Sequence, residues 1–211
     1  MKVRNLVIAV AALAVAVAGY FSFASWQKRS QHDAIAALVV ETSAALKQGL
    51  GASPAGDEPR RVDAAIERLH AMKASRQRLF ADSADVYLAS ARAVLQRKSE
   101  VPALARQAEE ARRRLAAHMA TPRGRDDGWI REAAELKKRM DQSYFDLNVV
   151  LEALAENLRS LPDASARLIP DVRAAALTDP AFVAAVQQRT QDDLKRIADE
   201  RAGAGRLNLG R

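Results

Sequence analysis

The sequence predicts an all-α fold, and three observations carry that prediction. Apolar residues recur at three- and four-residue steps through nearly the whole chain, no run of alternating β-branched residues marks a strand, and the breaks between stripes are short clusters of Gly, Pro, Asp and Ser. The expected architecture is an N-terminal single transmembrane helix followed by an elongated antiparallel helical bundle of about four main helices, with a helical C-terminal appendage.

The first element is the uncharged stretch Asn5 to Trp26, 22 residues set between Lys2/Arg4 and Lys28/Arg29. At about 1.5 Å per residue it reaches ~33 Å, close to the ~30 Å hydrocarbon core of a bilayer. Tyr20, Phe21, Phe23 and Trp26 gather at its far end, where amphipathic rings favour the headgroup layer, and Lys28 and Arg29 follow as a charged stop. A cleaved signal peptide is the rival reading, because Ala16-Val17-Ala18 before Gly19 is a usable small-residue cleavage site. A buried core helix is a third. The flanking charges lean toward an inside N-terminus, which exports the rest of the chain, to the periplasm in a Gram-negative cell. No cysteine is present, so a lipoprotein, disulfides and thiolate metal sites are all excluded.

Past the anchor, Ile35, Leu38, Thr42, Leu46 and Leu50 continue a helical stripe, so the anchor and the first bundle helix are expected to form one rod up to the break GLGASPAGDEP. Asp57 is placed to cap the next helix, with Pro59 in its first turn. Val62, Ile66, Leu69, Met72, Leu79, Val86 and Val94 mark the inward face of this single long helix. Ser99, Glu100 and Pro102 read as a fresh start, with a kinked continuation past Lys98 as the alternative. Val101, Leu104, Ala108, Ala111, Leu115 and His118 then step up to TPRGRDDG. The clearest seam is Met140, Tyr144, Leu147, Leu151, Leu154, Leu158 and Leu161, expected to end at Pro162 with Asp163 as a new cap. Short helical pieces follow, and Thr178-Asp179-Pro180 opens a last helix with Phe182, Val183, Val186, Leu194 and Ile197 inward. The domain reading is 1–27 signal anchor, 28–202 exported bundle and 203–211 flexible tail.

The search for catalysis, cofactors or metals yields one fragment. Glu67-x-x-His70 matches half of the pattern by which ferritin-like bundles hold two irons, and the second half is missing, since Arg29 and Leu115 stand three positions before His32 and His118. The expected reading is a surface Glu67 and a His70 at the edge of the stripe, with no metal, cofactor or catalytic residue. No serine sits in a glycine-framed elbow. Gly49-x-Gly51 and Gly203-x-Gly205 lack the setting of a dinucleotide loop, and read as helix stop and tail. A non-enzymatic protein is expected.

Charge is the remaining handle. Residues 27–125 carry 18 basic and 11 acidic side chains, against 13 and 15 from residue 126 onward. The densest basic patch is Arg106, Arg112, Arg113, Arg114, Arg123 and Arg125, diluted by Glu109 and Glu110. On a cytosolic domain it could hold nucleic-acid phosphates or anionic headgroups. The simpler reading is a solvated face near a helix C-terminus, where cations complement the macrodipole. Nucleic acid is not expected, because groove-reading motifs and stacking aromatics are absent; Trp129, Tyr144 and Phe145 read as helix-start and core packing.

The plan of one anchor plus a bundle resembles both the LemA-like envelope proteins and the ligand-binding bundles of bacterial chemoreceptors. The local echo of the former is Leu168-Ile169-Pro170-Asp171-Val172, far down the chain where that family carries its similar run near the membrane. For chemoreceptors the second span and signalling stalk are missing, and neither resemblance transfers a residue. The leading functional expectation is a scaffold or assembly module that binds other envelope proteins, with homo-oligomers open to it through Ala- and Leu-rich seams. The alternatives are a ligand-sensing periplasmic bundle signalling through a partner, and a cytosol-facing basic tether.

Overall fold

The computed structural model describes residues 2–51, 56–74, 81–121, 126–173, 176 and 180–205, with the backbone alone at 2–16, 74, 171, 180 and 202–205. These residues form six helical segments and no strand: α1 Lys2–Leu50, α2 Glu58–Ala74, α3 Ala81–Ala120, α4 Asp127–Ala166, the short α5 Pro170–Arg173 and α6 Pro180–Gly205. The all-helical bundle is therefore what the sequence folds into.

Cross-helix contacts set the directions. Ser43 Oγ lies 2.8 Å from the Tyr87 hydroxyl, and Gly49 lies so close to Leu95 that a Cβ there would overlap the leucine side chain. Advancing from 43 to 49 on α1 thus advances from 87 to 95 on α3, so these two helices run parallel. α2 lies antiparallel between them, joined by Arg61 to Gln48 at 2.9 Å on one side and by Arg92 to Asp63 at 2.6 Å on the other. The α3–α4 hairpin is antiparallel, with the His118 ring stacked on Trp129 near its tip. α6 returns antiparallel along α4, since Gln187 Nε2 donates to the Leu158 carbonyl at 3.1 Å and the Tyr144 hydroxyl donates to Glu200 at 3.1 Å. The order is up-down-up-down-up, as short connections between long helices favour.

α1 is one continuous helix, and Ile35, Leu38, Thr42, Leu46 and Leu50 are all buried. Packing begins at Gln31; from Val17 to Ser30 nearly every residue is exposed. Among the described residues no helix is long and apolar enough to cross a membrane. The expected span 5–26 finds no support there, and its side chains 5–16 lie outside the described ones.

Three expected boundaries move. The long helix from Asp57 to Lys98 is two helices, α2 and α3, and residues 75–80, with Leu79, lie outside the described ones. The register resets across that gap, leaving Val86 on the surface, while Ala84, Tyr87, Leu88 and Ala91 turn inward. Nor does a helix start at Ser99, because α3 runs through Pro102. Proline removes one N–H and frees the Lys98 carbonyl, but Pro102 is exposed, and the packing of Val94 and Leu95 before it and of Ala108 and Leu115 after it outweighs the local cost. Pro162 is likewise exposed inside α4. Leu158, Leu161 and Ala164 are buried on either side of it, and the Ser165 hydroxyl donates to the Pro162 carbonyl at 2.7 Å.

All seven seam residues from Met140 to Leu161 are buried, with α3 on one flank of α4 and α6 on the other, while α3 itself packs on α1, α2 and α4. Asp126 caps its start in extended backbone, its Oδ1 accepting the Trp129 N–H at 2.7 Å. Asp57 stands at the start of α2, its carbonyl accepting the Arg61 N–H at 3.1 Å. The Glu58 carboxylate beside it takes the Gly56 N–H at 2.8 Å, where Gly56 adopts a φ of 88° that favours glycine. α6 opens at Pro180 as expected and runs to Gly205, beyond the expected start of the tail at 203; residues 206–211 lie outside the described ones.

Candidate functional site

Two exposed features on this frame invite a partner. The first is the aromatic collar of α1, where Tyr20, Phe21, Phe23 and Trp26 are each at least 60% exposed. Their ring contacts are with one another, Tyr20 edge-on to Phe21 and Phe23 tilted toward Trp26, both at 6.0 Å between centroids. Lys28 and Arg29 follow, also exposed. Exposed aromatic side chains around a helix, with nearly every described residue from Val17 to Ser30 exposed, leave a surface for another molecule or for lipid.

The second is the basic ridge on the outer half of α3. Glu109 accepts from Arg112 at 2.8 and 2.9 Å and from Arg113 at 2.8 Å, and Glu110 pairs with Arg114. Those two arginines hold the Glu109 carboxyl down at about 2, well below its ordinary value, and Glu109 in turn raises Arg112. The ridge is a laced set of i,i+3 and i,i+4 pairs, and such exposed pairs add little stability. Arg106 is exposed one turn before it. Arg123 and Arg125 lie outside the described residues.

Glu67 and His70 are not brought together as a metal site. Both are exposed, and His70 Nε2 lies 3.3 Å from Asp85 across the α2–α3 interface. No group of three metal-ligating side chains occurs among the described residues. Lys73 completes the cluster, at 2.8 Å from Asp85 and 3.1 Å from Asp82, and its hydrogen bond keeps the Asp85 carboxyl below the usual range. This bracket escaped the sequence reading. Its signal was present as two basic residues three apart before a break and two acidic residues three apart after it.

Between α4 and α6, Tyr144 is buried beneath a shallow groove lined by Lys137, Asp141, Asn148, Ile197 and Arg201. Burial first, and the Glu200 carboxylate second, push the Tyr144 phenol up to about 12. That keeps it a neutral donor to Glu200. Lys137 and Asp141 pair at 3.1 Å across one turn of the rim. The reading of Phe145 as core is wrong, since its ring is 53% exposed beside this groove, with Val149 46% exposed one turn on. At ~100° per residue Phe145 lies well over a quarter-turn from the seam that Met140 begins.

No protein-family model matches the chain, and neither does any curated protein or solved structure.

Proposed function

We propose that this chain is a single-span protein of the bacterial envelope, whose exported helical bundle is a non-enzymatic interaction module holding a three-helix arm away from the inner membrane. The observation that carries the reading is the state of α1: from Val17 to Ser30 it is exposed nearly throughout, with Val17, Tyr20, Phe21, Phe23 and Trp26 in water, while it is packed from Gln31 onward. The sequence before Val17 continues the uncharged run back to Asn5. Water is a poor environment for such a surface, at about 25 cal/mol per Å² of apolar area, and a bilayer is a good one.

The same rod sets the reach of the bundle. From Trp26 to Ser43 is ~25 Å along α1; Ser43 is level with Tyr87, and α3 climbs a further ~28 to ~40 Å to Arg106 and Arg114. The arginine ridge thus stands ~55–65 Å beyond the collar, out of contact with the headgroups around its own anchor. That favours a protein partner for the outer arm over a lipid tether.

The test is a pair of reporters fused after Arg211, one active only outside the cytosol and one only within it, combined with alkaline extraction of membranes. The expected result is an exported reporter on a chain that resists extraction. A chain released by carbonate, or a cytosolic reporter signal, would overturn the proposal.

A further inference from the structure

The outward face of α4 carries a second stripe, independent of the buried seam. Starting at Arg131 and ending at Asp163, ten positions step alternately by four and three residues, and every one of them is exposed. Phe145 and Val149 lie at its middle, two large apolar side chains one turn apart in water. The charges around that middle are arranged with opposite sense. Lys138 stands seven residues before Phe145 and Glu156 seven after Val149; Glu135 and Arg159 stand at ten, Arg131 and Asp163 at fourteen.

From this we infer that the outward face of α4 is the docking site for a second copy of the chain, paired antiparallel about a two-fold axis beside residue 147. In that register Phe145 of each copy packs on Val149 of the other, and Lys138 of each faces Glu156. Glu135 then faces Arg159, Arg131 faces Asp163, and Gln142 faces Glu152. A two-fold contact is self-complementary by construction, so each favourable pair occurs twice. The pattern also rejects the alternatives. Parallel pairing sets every charge opposite itself, Lys138 on Lys138 and Glu156 on Glu156. Sliding the axis by half a heptad sets Glu135 on Glu152 in one direction and Phe145 on Glu156 in the other.

Among the described residues, contacts within the chain leave the stripe available. The Asn148 amide donates to Glu152 at 2.6 Å and Arg159 pairs with Glu156, both along α4 itself, and neither covers Phe145 or Val149. Two apolar side chains per copy and a rim of exposed ion pairs make a small contact, below the 20–30 residues a side of a tight interface, so the dimer forms in the micromolar range.

Because α1 runs antiparallel to α4, the two N-terminal helices leave such a pair at opposite ends. Residue 147 is level with the first turns of α3 past Pro102, ~50 Å beyond the collar, which puts the two collars ~100 Å apart. On the anchor reading above, copies in one flat membrane cannot pair this way, and the pair forms only where two membranes that carry the chain face each other.

The experiment is sedimentation velocity on the full chain in non-ionic detergent from 1 to 100 μM, for wild type, Lys138→Glu, Glu156→Lys and the double variant. Each single reversal replaces two attractions by two repulsions and weakens the dimer roughly tenfold. The double variant restores it. Because 138 and 156 are 18 residues apart on one helix, rescue cannot arise within a copy, and association through α1 would not respond to either change. A monomer at every concentration, a dimer indifferent to both reversals, or a double variant weaker than the singles would overturn the pairing. Wild-type chain in phosphatidylcholine vesicles is expected to cluster them by light scattering, and the single variants are not. Paired chains in detergent with unclustered vesicles would overturn the bridging while leaving the pairing intact, and a chain released from the vesicles by carbonate would overturn the anchor that the bridging rests on.

Discussion

Thr42 is the residue whose replacement should strengthen this fold. Its side chain is fully buried on the α1 stripe between Leu38 and Leu46, and its Oγ1 has no hydrogen-bond partner among the described residues. The neighbouring hydroxyls behave otherwise: Ser43 returns its proton to the Val39 carbonyl at 2.7 Å, and Thr190 on α6 returns its own to Val186 at 3.0 Å. With its one proton spent on Val39, Ser43 accepts from the Tyr87 hydroxyl. A buried hydroxyl without a partner carries a desolvation cost of about 1–3 kcal/mol. Thr42→Val keeps the β-branched shape and nearly the same helix propensity while removing that cost, so the expected gain is about 1–3 kcal/mol. For a chain of this size each kcal/mol moves the melting midpoint by about 2–4 °C. Urea and thermal unfolding of the full chain in detergent, followed by far-ultraviolet circular dichroism, reads it as a higher midpoint at unchanged slope. Thr42→Ser is the control: it keeps the hydroxyl, deletes a buried methyl and costs about 1 kcal/mol. A valine variant less stable than wild type would show that the hydroxyl is bonded after all and sink the reasoning.

Two further perturbations follow from named contacts. Asp126→Ala removes the acceptor of the Trp129 N–H at the start of α4 and should cost about 1 kcal/mol, whereas Asp126→Asn should be close to neutral; equal stability of the alanine variant and wild type in the same unfolding assay would remove the cap from the account. Tyr144, raised to about 12 from an ordinary 10.0, ionises in the unfolded chain first, so stability is unaffected below about pH 10 and falls as pH rises from there toward 12. In tyrosinate absorbance the Tyr144 phenol should titrate late and move down only part of the way in Glu200→Gln, since burial is the larger cause; no movement at all would detach Glu200 from it.

What the sequence made legible is whatever rests on the helical period. The α4 seam, the second half of α1 and the inward face of α6 are set by apolar residues every three or four positions, and burying such a stripe outweighs local propensity. For the same reason proline misled. Pro102 and Pro162 are exposed and each removes one hydrogen bond, while buried residues before and after them hold the helix through, and the Leu158 carbonyl that Pro162 frees accepts from Gln187 instead. The α2–α3 break went unread for the converse reason: Leu79, Val86 and Val94 kept an apparent rhythm across a gap where the register resets. Composition misleads at Phe145: a phenylalanine in a leucine-rich helix suggests core, but its place on the helix, more than a quarter-turn from the seam, puts it on the surface. Contacts such as His70 to Asp85 depend on which helices become neighbours, and one-dimensional spacing does not carry that.

The direction of α1 relative to α4 is what connects the separate surface features. Because α1 and α3 run parallel and level at Ser43 and Tyr87, every residue of α3 past Pro102 lies farther along the axis than Leu50, the end of α1. The outer halves of α3 and α4 and the end of α6 therefore form an arm that α1 and α2 do not buttress. In that arm the buried set thins to Ala108, Leu115, Ala133, Met140, Tyr144, Leu147 and Ile197. An arm with so small a core has little stability of its own, and a second copy along α4 would add packing where the chain supplies least. Self-association through the α4 face should thus raise the stability of the arm more than that of the buttressed half. Hydrogen exchange compared at 1 and 100 μM would show it as protection gained in 104–118 and 131–148 but not in 35–50. Uniform protection across both halves would assign the contact elsewhere.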